Sequence, residues 1–189
     1  MVHTVDSLIN DILRREGGYN DHKEDRGGAT NHGVSLRYAR GIGLDLDGDN
    51  DVDEDDIKMV TPEVAAELYR RDFFYGPRID RFPEFLQAHV FDMAVNMGPR
   101  PAVRIVQRTC NLCRRAAPHL LKFDRLLVDG FVGEITITAV RQCYRVMDTS
   151  FINAVVDSRR EAYMEIIARD PEQEKFRKGW MNRAEEFRV

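Results

Sequence analysis

Apolar residues near the start of the chain recur with the rhythm of a helix that buries one face. Val5, Leu8, Ile9, Ile12 and Leu13 follow the i, i+3, i+4, i+7, i+8 spacing. Thr4 or Asp6 can cap this helix and Gly17-Gly18 end it, which leaves Glu16 at its C-terminus. Residues 19–35 carry Gly27, Gly28 and Gly33 and read as an irregular loop, with short strands near Gly33-Val34-Ser35. Further on, Thr61 as N-cap and Pro62 as first helical residue open a helix to about Phe74, stopped before Gly76-Pro77. Pro83 opens the next, through about Met97, ended by Gly98-Pro99. Another covers roughly 101–115 and buries Val103, Val106 and Cys110. Asp129-Gly130 and Gly133 mark a turn, after which Thr136 is expected to cap a further helix. From Thr136 to Arg169 the helical pattern outlasts one ordinary helix, and the capping residues Asp148-Thr149-Ser150 place a break within it. Pro171 ends the second piece. The pattern is that of a mostly α protein.

At 189 residues the chain makes one compact domain or two small ones. The best boundary lies near 96–100, which divides it into regions 1–97 and 98–189. Charge changes sign at the same place. Residues 1–98 hold 11 basic and 20 acidic residues, a charge of −9; residues 99–189 hold 17 and 12, a charge of +5. A basic second half suits a polyanionic partner, and equally describes a solvated Arg-rich helical surface. No apolar run reaches the roughly 18 residues of a membrane span, and the N-terminal residues show no basic-then-apolar secretory signal. Cys110, Cys113 and Cys143 make no disulfide framework. The CxxC pair has only His119 nearby and lacks a second pair to complete a zinc site, so both thiols are expected to face a core.

Residues 45–56, DLDGDNDVDEDD, place Asp at positions 1, 3, 5, 7, 9 and 12 of a twelve-residue loop. An EF-hand draws side-chain oxygens from 1, 3, 5 and 12, a backbone carbonyl from 7, and a direct or water-bridged contact from 9. Val52 sits at the apolar position 8, and Ile57 leads into a helix. Asn50 replaces the usual glycine at position 6, where Asn tolerates left-handed backbone angles. Asp56 replaces the usual Glu at position 12 and is shorter. Eight acids in twelve residues would repel one another without a cation. Asp45, Asp47, Asp49, Asp51, Asp53 and Asp56 are therefore the expected calcium ligands. The loop resembles that of dockerins, which carry two such repeats; the single copy here suits a structural Ca2+.

Glycoside cleavage usually needs a carboxylic acid to protonate the leaving oxygen, and often a second carboxylate for water or for oxocarbenium charge. Glu16 and Asp25 stand nine residues apart across a glycine-containing loop, and Thr30 follows five further on. The negative end of the helix macrodipole disfavours ionisation of Glu16, which suits a proton donor.

EGGY at 16–19, followed by DHKEDRGGATNHGVS at 21–35, resembles the signature of glycoside hydrolase family 108, the N-acetylmuramidases of phage endolysins and secretion-linked bacterial proteins. Phe91–Gly98, Val106-Gln107-Arg108, Val128-Asp129-Gly130 and Gly179-Trp180 are similar to the helical peptidoglycan-binding region that follows in that family. The resemblance implies a lysozyme-like helical catalytic region packed on a helical C-terminal region. It makes Glu16 the catalytic acid. The Glu, Asp, Thr order is also similar to that of phage lysozymes, which supports Asp25 and Thr30 as helpers. The acidic loop is not a general feature of the family.

Tyr19, Asn31 and His32 are candidates to line a sugar cleft, or to brace the loop through hydrogen bonds. Asp92 and Asn96, one helical turn apart, are candidates to reach substrate from a facing helix. Trp180, the one tryptophan, is expected in the core rather than stacked on a sugar. The expected activity is hydrolysis of the β-1,4 bond between N-acetylmuramic acid and N-acetylglucosamine in bacterial peptidoglycan. A lytic transglycosylase and a non-catalytic, calcium-stabilised wall-binding module are the alternatives. The protein is expected to act as a monomer, without nucleic acid and without stable membrane insertion. With no signal peptide read, it is expected to reach the wall from the cytoplasm by holin-type release or non-classical export.

Overall fold

The computed structural model describes residues 4–16, 18–20 and 28–189, and only the backbone of residues 15 and 16. It is mostly α, with one small antiparallel sheet, as the pattern predicts. Two compact units appear, one of Thr4–Asp72 and one of Phe73–Val189.

In the first unit, α1 (Val5–Glu16) buries Leu8 and Ile9 and packs against α4 (Pro62–Tyr69). Thr4 and Ser7 cap α1 reciprocally, each backbone N–H donating to the other's hydroxyl at 2.9 and 3.1 Å. Strands β1 (Thr30–Asn31) and β2 (Val34–Ser35) form a hairpin, with Asn31 opposite Val34. His32 and Gly33 between them both have positive φ, 48° and 79°, as a two-residue type I′ turn demands. Ser35 then caps α2 (Leu36–Ile42) by accepting from the Tyr38 N–H at 3.2 Å, and Gly43 ends it at φ 66°. Helix α2 has no counterpart in the sequence reading. The acidic loop follows and leads into α3 (Glu54–Met59). Thr61 caps α4 through the Val64 N–H at 3.3 Å, as its sequence implies. The helix continues through a π-helical turn, Arg70–Tyr75.

The second unit is built around α5 (Glu84–Met97), whose residues from Ala88 to Ala94 are all buried. It packs on α6 (Pro99–Ala116), and α6 contacts both α7 (Glu134–Met147) and α8 (Thr149–Arg169). Helix α9 (Arg177–Glu185) closes against α8. The break between α7 and α8 falls at Asp148, where the capping cluster places it. Thr136 departs from expectation. Helix α7 begins two residues earlier, after Gly133, and the buried Thr136 hydroxyl accepts instead from Gln107 Nε2 at 3.3 Å. Gln107 also binds the Asp129 carboxylate at 2.8 Å and the Gly130 N–H at 2.9 Å, which pins the 129–133 turn to α6. A Cβ on Gly130, at φ 82°, would lie 2.8 Å from the Arg100 carbonyl oxygen, so only glycine fits this approach. Cys110, Cys113 and Cys143 are free and buried, as small core residues. Among the described residues no helix is long and apolar enough to cross a membrane.

Candidate active site and acidic loop

Glu16 is the last residue of α1; its side chain, and the whole of Asp25, lie outside the described residues. The Asn20 N–H donates to the Thr30 carbonyl and the Thr30 N–H to that of Asn20, both at 2.8 Å. This pair pins the chain four residues past Glu16 against β1, and so brings the end of α1 near Thr30 in the fold. The Thr30 hydroxyl donates to the Gly28 carbonyl at 3.3 Å and is half-buried. Gly28, at φ 72°, faces Leu36, whose Cβ a side chain there would meet at 3.3 Å.

Asn31 braces the loop. It is buried, and its Nδ2 donates to the carbonyls of Ile57 at 2.9 Å and Val60 at 3.1 Å, tying the hairpin to the end of α3. Asn31 Oδ1 and His32 Nδ1 are buried without a hydrogen-bond partner among the described residues. Such atoms are ordinarily satisfied by water or ligand. Tyr19 is 39% exposed, with Lys58 Nζ of α3 over its ring at 5.9 Å. Lys58 carries no motif, and its arrival beside Tyr19 had no signal in the sequence.

Asp92 and Asn96 occupy a different setting from the hairpin residues. Asp92 is 3% exposed, and its oxygens accept from Arg159 Nη2 at 2.6 Å and from Arg183 Nη2 at 2.8 Å and Nε at 3.0 Å. Burial works against ionisation of Asp92, yet the two guanidinium groups hold its carboxyl below the usual carboxylate range. Asn96 Oδ1 accepts from the Tyr163 hydroxyl at 2.7 Å, and that hydroxyl accepts from Arg159 Nε at 3.0 Å. These side chains join α5 to α8 and α9. Trp180 stacks on Tyr163 and Phe176, at 4.9 and 5.7 Å between ring centroids. His89 stacks on Phe187 at 4.6 Å, and burial with the Arg159 charge pushes its pKa down to about 3, so the ring is neutral.

In the acidic loop Asn50 adopts φ 72°, the left-handed position that its place in the motif requires. Asp45 accepts from the N–H groups of Gly48 at 2.7 Å and Asn50 at 3.1 Å, which curls the loop around its first carboxylate. Asp56 accepts from Leu46 at 2.5 Å and from Asp53 at 2.9 Å, and Asp53 accepts from Asp55, so the loop's last residues also form the capping box of α3. The carboxylates fall into two clusters, Asp45–Asp47–Asp49 and Asp51–Asp53–Asp56. Within each, one oxygen per residue lies within 4.8 Å of the others. An all-oxygen, anionic donor set of this kind fits a hard divalent cation. The neighbouring Asp49 charge, with desolvation and the further charges of Asp53, Asp56 and Asp45, pushes the Asp51 pKa up. The Asp49 N–H draws Asp47 down, but desolvation and three aspartate charges leave it raised as well.

Residues 9–98 match the model of a family described as Glycosyl hydrolase 108, and residues 101–185 match a Predicted Peptidoglycan domain. A solved structure, that of Brucella abortus SagA, is similar at 26% identity and a TM-score of 0.69, covering 97% of this chain and 91% of that one. No curated protein matches the chain.

Proposed function

We propose that this chain, whose residues 9–98 match the glycosyl hydrolase 108 model and whose residues 101–185 match a predicted peptidoglycan domain, is an endolysin-like N-acetylmuramidase. It cleaves the β-1,4 bond between N-acetylmuramic acid and N-acetylglucosamine. The observation that carries this reading is the family match over the segment that holds Glu16 at the end of α1. Glu16 donates the proton to the leaving oxygen, favoured in its neutral form by the negative end of the helix. Asp25 and Thr30 hold the attacking water or stabilise positive charge on the sugar ring. Tyr19 lines the cleft, while Asn31 and His32 hold the hairpin in register behind it. The catalytic region lies within 1–97 and the wall-binding region within 98–189.

In this reading the acidic loop would hold one structural Ca2+, with Asp45, Asp47, Asp49, Asp51, Asp53 and Asp56 as its ligands. The ion's part is to neutralise crowded carboxylates at the start of α3, whose far end receives the Asn31 side chain. It takes no part in proton transfer.

Glu16→Gln keeps the shape of the side chain and removes the proton. Lysis of purified walls should fall at least about a hundredfold, the lower range for general acid catalysis. Far-ultraviolet circular dichroism should be unchanged. Near-normal lysis by a folded Glu16→Gln protein would overturn the assignment.

A further inference from the structure

Two grooves in residues 73–189 differ in what their charged side chains are doing. The larger, about 850 Å³, runs along α8 and α9. Its charges are mostly engaged within the protein: Arg160 with Glu185, Asp157 with Arg188, Glu165 with Arg108 and Arg169, and Arg177 with Glu174. The second, about 530 Å³, lies between α7 and the segment that precedes it. Arg141 and Arg145 stand one turn apart on α7, and Lys122 lines the same groove. All three are exposed, and none has a carboxylate partner among the described residues. Gln142 fixes the opposite wall by accepting from the Lys122 N–H at 3.0 Å. Leu120, 63% exposed, and Val146, 38% exposed, add apolar surface to the same groove.

Three like charges gathered without a counter-ion are a built-in demand for anion. Arg114, by contrast, is not part of any such surface; its Nε donates to the Phe123 carbonyl at 2.5 Å and holds the segment after α6. We propose that the groove of Lys122, Arg141 and Arg145 binds the stem peptide of the cell wall through its carboxylates. The proposal rests on the wall-hydrolase reading above. The chemistry of the wall selects the peptide. Its glycan carries acetamido and hydroxyl groups, with the lactyl carboxyl tied up as an amide, so the free carboxylates belong to the short peptides. Those peptides also present small aliphatic side chains, which Leu120 and Val146 can cover. A cavity of this size suits a ligand of a few residues. A phosphate polymer would call for a long basic track instead.

The test is sedimentation of the full-length protein with purified sacculi, briefly and in the cold, comparing wild type with Arg141→Glu/Arg145→Glu. Arg115→Glu/Arg125→Glu reverses the same amount of charge elsewhere and serves as control. Arg141→Gln/Arg145→Gln stands in if the charge reversal fails to fold. Sacculi stripped of phosphate polymers, the same sacculi with their peptide carboxylates converted to amides by carbodiimide and ammonia, and duplex DNA form the arms. The groove variant should lose affinity for stripped sacculi about tenfold or more, from two exposed ion pairs turned repulsive. The control should bind as wild type does, and wild type should bind the amidated sacculi as poorly as the variant binds untreated ones. Full binding by the groove variant overturns the proposal. So does undiminished binding of wild type to amidated sacculi, binding that follows the phosphate polymer or DNA, or no binding to sacculi at all. Release of glycan fragments is read separately. Wild type that binds through the groove but releases none would refute the hydrolase reading alone.

Discussion

Asp92 and Asp51 are both aspartates crowded by charged neighbours, and the two regions of the molecule resolve that crowding in opposite ways. Around Asp92 the neighbours are Arg159 and Arg183, both from distant helices, and the carboxyl is held below its ordinary range while buried. Around Asp51 the neighbours are Asp49, Asp53, Asp56 and Asp45, and the carboxyl is pushed above its ordinary range while exposed. Asp92 is met by counter-ions from its own unit, whereas the aspartates of the loop at 45–56 crowd one another. A buried charge matched by the chain keeps its stability whatever ions the solution holds, and a set of exposed like charges does not.

The largest effect should come from breaking the internal match. Asp92→Ala leaves Arg159, wholly buried, and Arg183 without their carboxylate, which should cost about 3–5 kcal/mol. The midpoint of urea unfolding reads this directly, and a shift below about 1 kcal/mol would show that the arginines find other partners. Calcium should act on the other region. Removing it by chelation should lower the melting temperature; an ion present at a hundred times its Kd contributes about 2.7 kcal/mol. Asp45→Ala should abolish the calcium-dependent shift, and identical melting curves with calcium and chelator would reduce the loop to an acidic surface.

The smallest effect concerns pH. Asp47 and Asp51 have folded pKa values raised above 3.8, so their repulsion is a penalty present above the folded pKa and relieved as pH falls through it. Asp56 goes the other way: the N–H groups of Leu46 and Asp53 lower its pKa, and its contribution is lost only as pH falls below 3.8. His89, buried and neutral with a pKa of about 3, costs stability as pH falls below about 6.5 whether or not calcium is present. The loop should therefore show as the gap between the calcium and chelated melting curves, which should narrow as pH falls toward the carboxylate range because protons compete with the ion. A gap that does not change with pH would deny the loop its role as a cation site.

Much of this was legible in the sequence where local chemistry decides structure. Thr61-Pro62, Pro83 and Gly98-Pro99 mark helix ends through backbone constraints that act within a few residues, and the helices lie there. The spacing of aspartates over 45–56 foretold a curled loop with Asn50 in the left-handed region. Helix α2 escaped because seven residues, burying only Leu36 and Ala39, are too few to show a period. Helix α9 escaped because only Ala184 within it is fully buried. Thr136 looked like a cap because Thr often is one, and Gln107, distant in sequence, outbid that role. The same distance hid the partners of Asp92, since nothing in the spacing of residues 92, 159 and 183 reports that three helices meet there. Of the candidate site, the frame around Thr30 and Asn31 is visible in the fold, while Glu16 and Asp25 rest on motif and family.

The most direct test of the account is mass spectrometry of purified peptidoglycan digested by the wild-type protein, with Glu16→Gln in parallel. The account predicts fragments that end in reducing N-acetylmuramic acid, formed by wild type and absent with the variant. Anhydro-muramic ends, peptides freed without glycan cleavage, or the same fragments from both proteins would contradict it.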